Sequence, residues 1–131
     1  MNTNFSMWVT ALQRPIKLYE KTEWDKLDLI TQWLIATRGT VTQLTAFAGV
    51  IAGLLAWRDG YFSWLPWLVM TVGLFFAHST ENLVNDYIDF SRGIDEDNYY
   101  RAQYGIHPLV HKFWTRNDWL RWFLIAGTIA T

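Results

Sequence analysis

The sequence predicts an all-α, polytopic transmembrane helical protein: an interfacial amphipathic helix, two spanning helices and the start of a third. Three observations predict it. Residues 41–57 carry no charge, and neither do residues 61–80 if His78 is neutral. Nine of the eleven Lys and Arg fall in residues 1–40 and 91–118, outside both runs. Tyr61, Trp64 and Trp67 gather at the start of the second run, as an aromatic belt at a membrane–water interface does. A mean hydropathy of +0.02 conceals this segregation because the polar blocks offset the apolar ones.

Residues 1–23 form a mixed, polar N-terminal segment in which Pro15 breaks any early helix. Met7-Trp8-Val9 is too short for the apolar region of a secretory signal, so insertion is expected to be directed by the first span. Residues 24–131 form the membrane unit. Within it, residues 24–37 place Leu27, Ile30, Trp33 and Leu34 at helical spacing, with Asp25, Lys26 and Asp28 mostly opposite. That pattern predicts an amphipathic helix lying along a membrane surface, the alternative being the first turns of a core helix.

The run 41–57 is short for a span, which needs about 20 residues. Extension back to Trp33 supplies the length and places Arg38 at the interface. Gly49 and Gly53 have the spacing that lets helices pack closely in lipid. Arg58-Asp59-Gly60 reads as a tight polar turn. Pro66 suits a first helical turn, and the second apolar run continues into a polar helical end, Glu81 to Arg92. Residues 93–118 read as a hydrophilic loop punctuated by Gly93, Gly105 and Pro108. A third apolar run starts at Trp119 and is expected to be cut short within a spanning helix. Five Lys and Arg precede the first span, one lies in the 58–60 turn and four lie in 91–118. Positive charge favours the cytoplasm, so the N-terminus and the long loop are expected inside a multi-pass cell-membrane protein.

A net charge of −1 excludes a strongly basic nucleic-acid binder, and the absence of Cys excludes disulfide frameworks and thiolate metal sites. The chemistry concentrates in residues 82–95. Asn82, Asn85, Asp86 and Asp89 are three and four residues apart and share one side of a helix. Asp95, just past Gly93, can fold back toward them. Carboxylate and amide oxygens are hard ligands that suit Mg²⁺, which usually takes one or two carboxylates plus substrate phosphates. The bland alternative is a solvated polar helix end, but acids at a helix C-terminus oppose its dipole and call for a compensating cation.

Asn85-Asp86-x-x-Asp89 followed by Gly93-x-Asp95 resembles the first aspartate-rich motif of the UbiA prenyltransferase superfamily, whose usual form is N-D-x-x-D-x-x-x-D. Here Gly93 stands where the last Asp would be, and Asp95 follows two residues later. With the leading Asn82-Leu83-Val84, this variant is similar to the branch containing 1,4-dihydroxy-2-naphthoate prenyltransferases. The resemblance covers residues 33–131 and leaves residues 1–32 out. It implies a bundle of membrane helices around a central cavity. It also implies Mg²⁺-dependent transfer of an isoprenyl chain from an isoprenyl diphosphate to a lipophilic aromatic acceptor, such as a quinone precursor.

On that basis Asp86 and Asp89 are the implied catalytic residues. Asn85, Asp86, Asp89 and Asp95 are the implied metal ligands, and Arg38, Asn82, Asn85 and Arg101 the implied substrate-binding residues. Arg38 could equally be a topology anchor, since Gly39 stands where the family commonly has Pro, and Arg101 could be a solvated loop residue. His78 reads as a packing histidine more than a cavity group. His107 and His111 have a metal-pair spacing, but Pro108 between them places them in a loop. The implied enzyme needs a second Asp-rich motif that is not in this sequence, so residues 1–131 alone are expected to give no turnover. The competing class is a small two-span membrane protein that binds a divalent cation, or a subunit of a larger complex, without catalysis. A soluble isoprenyl diphosphate synthase is disfavoured by the two uncharged runs.

Overall fold

Every regular element in the computed structural model, which describes residues 5–94 and 105–131, is a helix. Helix α1 spans Phe5–Gln13 and stops just short of Pro15, whose ring and missing N–H end it. The proline therefore follows a helix in the N-terminal segment. Trp8, Ala11 and Leu12 turn that helix's apolar side onto α3 and the start of α4.

The amphipathic stretch 24–37 is two pieces. Helix α2 is a single turn, Lys21–Trp24, closed by a capping box between Glu20 and Glu23. Helix α3 runs Leu29–Ala36 from Asp28, whose carboxylate accepts from the N–H groups of Ile30 and Thr31. An aspartate competes well for backbone donors at an N-cap and poorly inside a helix, so Asp28 starts a new helix there. Thr31, Trp33, Leu34, Ile35 and Ala36 are buried, with Trp33 packed on Phe75 and Phe76. Helix α3 is thus a core element, the alternative that the pattern allowed.

Arg38 then breaks the helical path. Its backbone is left-handed, φ 56° and ψ 55°, so α4 begins at Gly39 and the helix does not extend back to Trp33. Helix α4, Gly39–Arg58, has 20 residues and is about 30 Å long at 1.5 Å per residue. Among the described residues it is the one helix long and apolar enough to cross a membrane. Only 22% of its most apolar stretch is buried within the described residues. Leu44, Phe47, Ile51 and Leu54 are exposed along it, and surface of that kind marks a membrane or protein contact.

The turn at 58–60 forms as the sequence predicts, with Gly60 at φ 79°, a conformation that a side chain resists. Helix α5, Trp64–Ser91, is one element of 28 residues, with Pro66 in its first turn. The second apolar run and the polar helical end are therefore continuous. Helix α5, expected from the sequence as the second span, is not apolar enough to meet the criterion that α4 meets, since Pro66, His78 and the polar end from Glu81 fall within it. Helix α6, Arg116–Ala130, starts from a Thr115–Asp118 capping box.

Helices α4, α5 and α6 run alternately up, down and up, with α5 central. Gly49 and Gly53 of α4 admit Thr71 and Trp67 of α5, and Trp67 Nε1 donates to the Gly49 C=O at 2.7 Å. On the other flank Trp119 Nε1 donates to the Leu83 C=O at 2.8 Å, and Tyr87 stacks on the Trp119 ring. The buried core sits at one end of this trio, formed by α1, α3, Leu83 and residues 106–114. The second half of the expected hydrophilic loop is in fact part of that core. Ile106, Leu109, Phe113 and Trp114 are buried, and Phe113 stacks on Trp24.

Candidate functional site

The core end of α5 carries the motif. At about 100° per residue, Asn82 and Asp86 lie about 40° apart, as do Asn85 and Asp89, and the two pairs are offset by about 60°. Packing gives the pairs different surroundings. Asn82 and Asp86 are buried against residues 37–38, whereas Asn85 is exposed and Asp89 half-buried on the open side of α5.

Asn82 Nδ2 donates to the Thr37 C=O at 2.9 Å. That carbonyl is held at the point where α3 ends, so the amide serves the helix junction. Asp86 Oδ1 is ion-paired with Arg38 Nη2, and the two side chains are 4% and 21% exposed. Burial on this scale makes each charge depend on the other, because desolvating either alone is costly. The structure therefore brings together Arg38, Asn82 and Asp86, three residues that the resemblance assigned to substrate or metal. Arg38 Nε is also buried and has no hydrogen-bond partner among the described residues.

A second clamp comes from beyond the motif. His107 is buried, and its Nε2 lies 3.0 Å from the Asp86 C=O, while its Nδ1 lies 3.4 Å from the Val110 N–H. Both contacts fit a neutral ring that donates from Nε2 and accepts at Nδ1. His111 Nδ1 contacts the His107 C=O at 2.9 Å, so these two histidines organise a turn and do not pair on a metal. His78 bonds Thr45 Oγ1 across the α4–α5 seam at 2.7 Å, which is the packing role expected for it.

Asp95 and Arg101 lie outside the described residues. Among the described residues no three His, Asp or Glu side chains converge to hold a metal ion. The donor chemistry still fits Mg²⁺ at the outer pair. The Asn85 amide oxygen and the Asp89 carboxylate are hard donors on an open side, where substrate phosphates could supply further oxygens. Asp86 fits less well, since its carboxylate is buried and its Oδ1 is paired with Arg38. Glu81, exposed one turn before Asn85, continues the outer pair at four-residue spacing. Sequence reasoning missed it, although the interval 81–85–89 was there to be read. It also missed His107 as a clamp on the Asp86 turn, for which spacing gave no signal. Comparison with protein-family models, curated proteins and solved structures gave no match to this chain.

Proposed function

We propose that this chain carries the diphosphate-binding part of a Mg²⁺-dependent membrane prenyltransferase of the UbiA type. Its reaction moves an isoprenyl chain from an isoprenyl diphosphate to a lipophilic aromatic acceptor of the quinone-precursor kind. One observation supports this above the rest: Arg38 is anchored on α5 at the same helix end where Asn85 is exposed and Asp89 half-buried. Cationic and anionic groups are thus gathered where apolar helices meet the polar cap. A diphosphate with a hydrocarbon tail has that same division, a charged head needing a cation and an apolar chain needing α4- or α5-like surface.

In this reading Asn85 and Asp89, with Asp95, hold Mg²⁺ together with phosphate oxygens. When bound, the ion neutralises charge developing on the departing diphosphate. Arg38 and Arg101 contribute fixed positive charge to the same group, favourable in a poorly solvated site. Asn82 sets the backbone that carries Arg38. The chain crosses the cell membrane more than once, with its N-terminus and the 91–118 loop in the cytoplasm.

The test is a transfer assay on membranes bearing the protein expressed from its own gene, with labelled isoprenyl diphosphates, aromatic acceptors and Mg²⁺. Mg²⁺-dependent prenylated product is expected, and Asp89→Ala should abolish it. Mg²⁺ binding without any diphosphate dependence or product would instead support the cation-binding membrane protein.

A further inference from the structure

Asp86 is central to the motif in sequence, yet its carboxylate is buried beside α5. Its side chain is 4% exposed and is ion-paired with Arg38 through Oδ1. The carbonyl of the same residue is held by His107, and one turn earlier Asn82 holds the carbonyl of Thr37, the residue just before Arg38. These contacts fix one thing, the place and direction of the Arg38 side chain. Arg38 itself occupies the left-handed region at φ 56°, which is unfavourable for a residue with a Cβ and persists only where surroundings enforce it. Its Nε–H is buried and has no hydrogen-bond partner among the described residues. A pair serving stability alone would be expected to satisfy that donor, because an unmet buried donor is costly. Strain, enforced direction and a spare donor on a fork suited to phosphate oxygens belong to an anion-binding arginine.

We infer that Asp86 is a positioning residue that holds Arg38 toward the diphosphate, and that the metal falls to the outer pair, Asn85 and Asp89. This rests on the prenyltransferase reading and divides the motif by role: the inner pair aims an arginine, and the outer pair meets the ion. The division also fits the burial of the inner residues, against an exposed Asn85 and a half-buried Asp89.

Calorimetric titration of the detergent-purified protein tests it, with inorganic diphosphate at saturating Mg²⁺ and then with Mg²⁺ at saturating diphosphate. Asp86→Asn and Arg38→Gln should each weaken diphosphate binding about tenfold or more, the scale of one hydrogen bond to a charged group. Neither should move the Mg²⁺ half-saturation point, whereas Asp89→Asn should raise it. The double variant should bind diphosphate no more weakly than Arg38→Gln alone. A Mg²⁺ shift in Asp86→Asn as large as that in Asp89→Asn overturns the positioning role. So does tighter Mg²⁺ binding in Arg38→Gln, which would mean that Arg38 had been masking a metal ligand. Circular dichroism checks helicity, and if Asp86→Asn does not fold, Arg38→Gln decides by the same criterion. Absence of any Mg²⁺-dependent diphosphate binding by the unsubstituted protein would strike the prenyltransferase reading itself and this role with it.

Discussion

Four hydrogen bonds converge on the Asp28 carboxylate, from Trp8 Nε1, Thr31 Oγ1 and the N–H groups of Ile30 and Thr31. Burial alone would push its pKa up, but together these donors outweigh burial and hold it below the usual carboxylate value. A depressed folded pKa stabilises the fold above the unfolded value of about 3.9, and that contribution is lost as pH falls through the folded value. Thermal unfolding of Asp28→Asn should therefore lose part of the acid sensitivity seen in the parent below about pH 4. Asp28→Ala should cost about 1–2 kcal/mol at neutral pH through the lost cap, measured by denaturant titration. The Arg38–Asp86 pair should behave differently. Asp86→Ala leaves a largely buried cation without its counter-charge and should cost about 3 kcal/mol, while Arg38→Met combined with Asp86→Leu should recover much of that loss. Additive losses in the double variant would show that the two charges do not depend on each other.

Helices α4 and α5 meet through absent side chains. A Cβ on Gly53 would collide with the Trp67 indole, and one on Gly49 with the Thr71 side chain. Gly53→Ala should displace Trp67 and weaken its bond to the Gly49 carbonyl, at a cost of about 1–3 kcal/mol for overpacking. A blue or red shift of Trp67 fluorescence, in a background where the other tryptophans are replaced by Phe, reads the displacement; an unmoved spectrum would refute it. These glycines were legible in sequence because their spacing alone states close approach. The turn at Gly60 and the start of α5 at Pro66 were legible for a similar reason, since each depends on local backbone chemistry. Helix α1 was less so, because nine residues of modest amphipathicity need α3 and α4 to hold them. The split of residues 24–37 depended on Asp28 capping a helix, a choice settled by Trp8 some twenty positions earlier. The buried stretch 106–114 was hidden by its own charges and breakers, while its apolar residues found partners on Trp24 and α6.

At the scale of the molecule, the polar cap and the exposed apolar helices separate along one axis, with the motif at their boundary. The motif itself was legible as a set of oxygen donors at a helix end. Its division into inner and outer pairs was not, because the partner of Asp86 lies 48 positions away and across a helix junction. The orientation proposed here has a direct check, and the lack of native Cys makes it clean. Single cysteines at Thr22 and Arg116 should react with an impermeant maleimide only after cells are opened, and one at Asp59 should react in intact cells. Equal labelling of all three would refute a hairpin with its cap inside.

The separation between Arg38 and Asp86 also has a meaning in time. At about 5–20 residues per second, synthesis delivers Asp86 roughly 2–10 s after Arg38. During that interval the guanidinium lacks the carboxylate that receives it in the fold, and in the membrane reading proposed above a cation without that partner is retained at the aqueous edge of a bilayer. The nascent α4 would thus be moored by the charge at its leading end before α5 exists. If the chain inserts as proposed, the arginine would choose its side of the bilayer first and acquire its counter-ion afterward, and the order of translation would guard the proposed orientation of the hairpin.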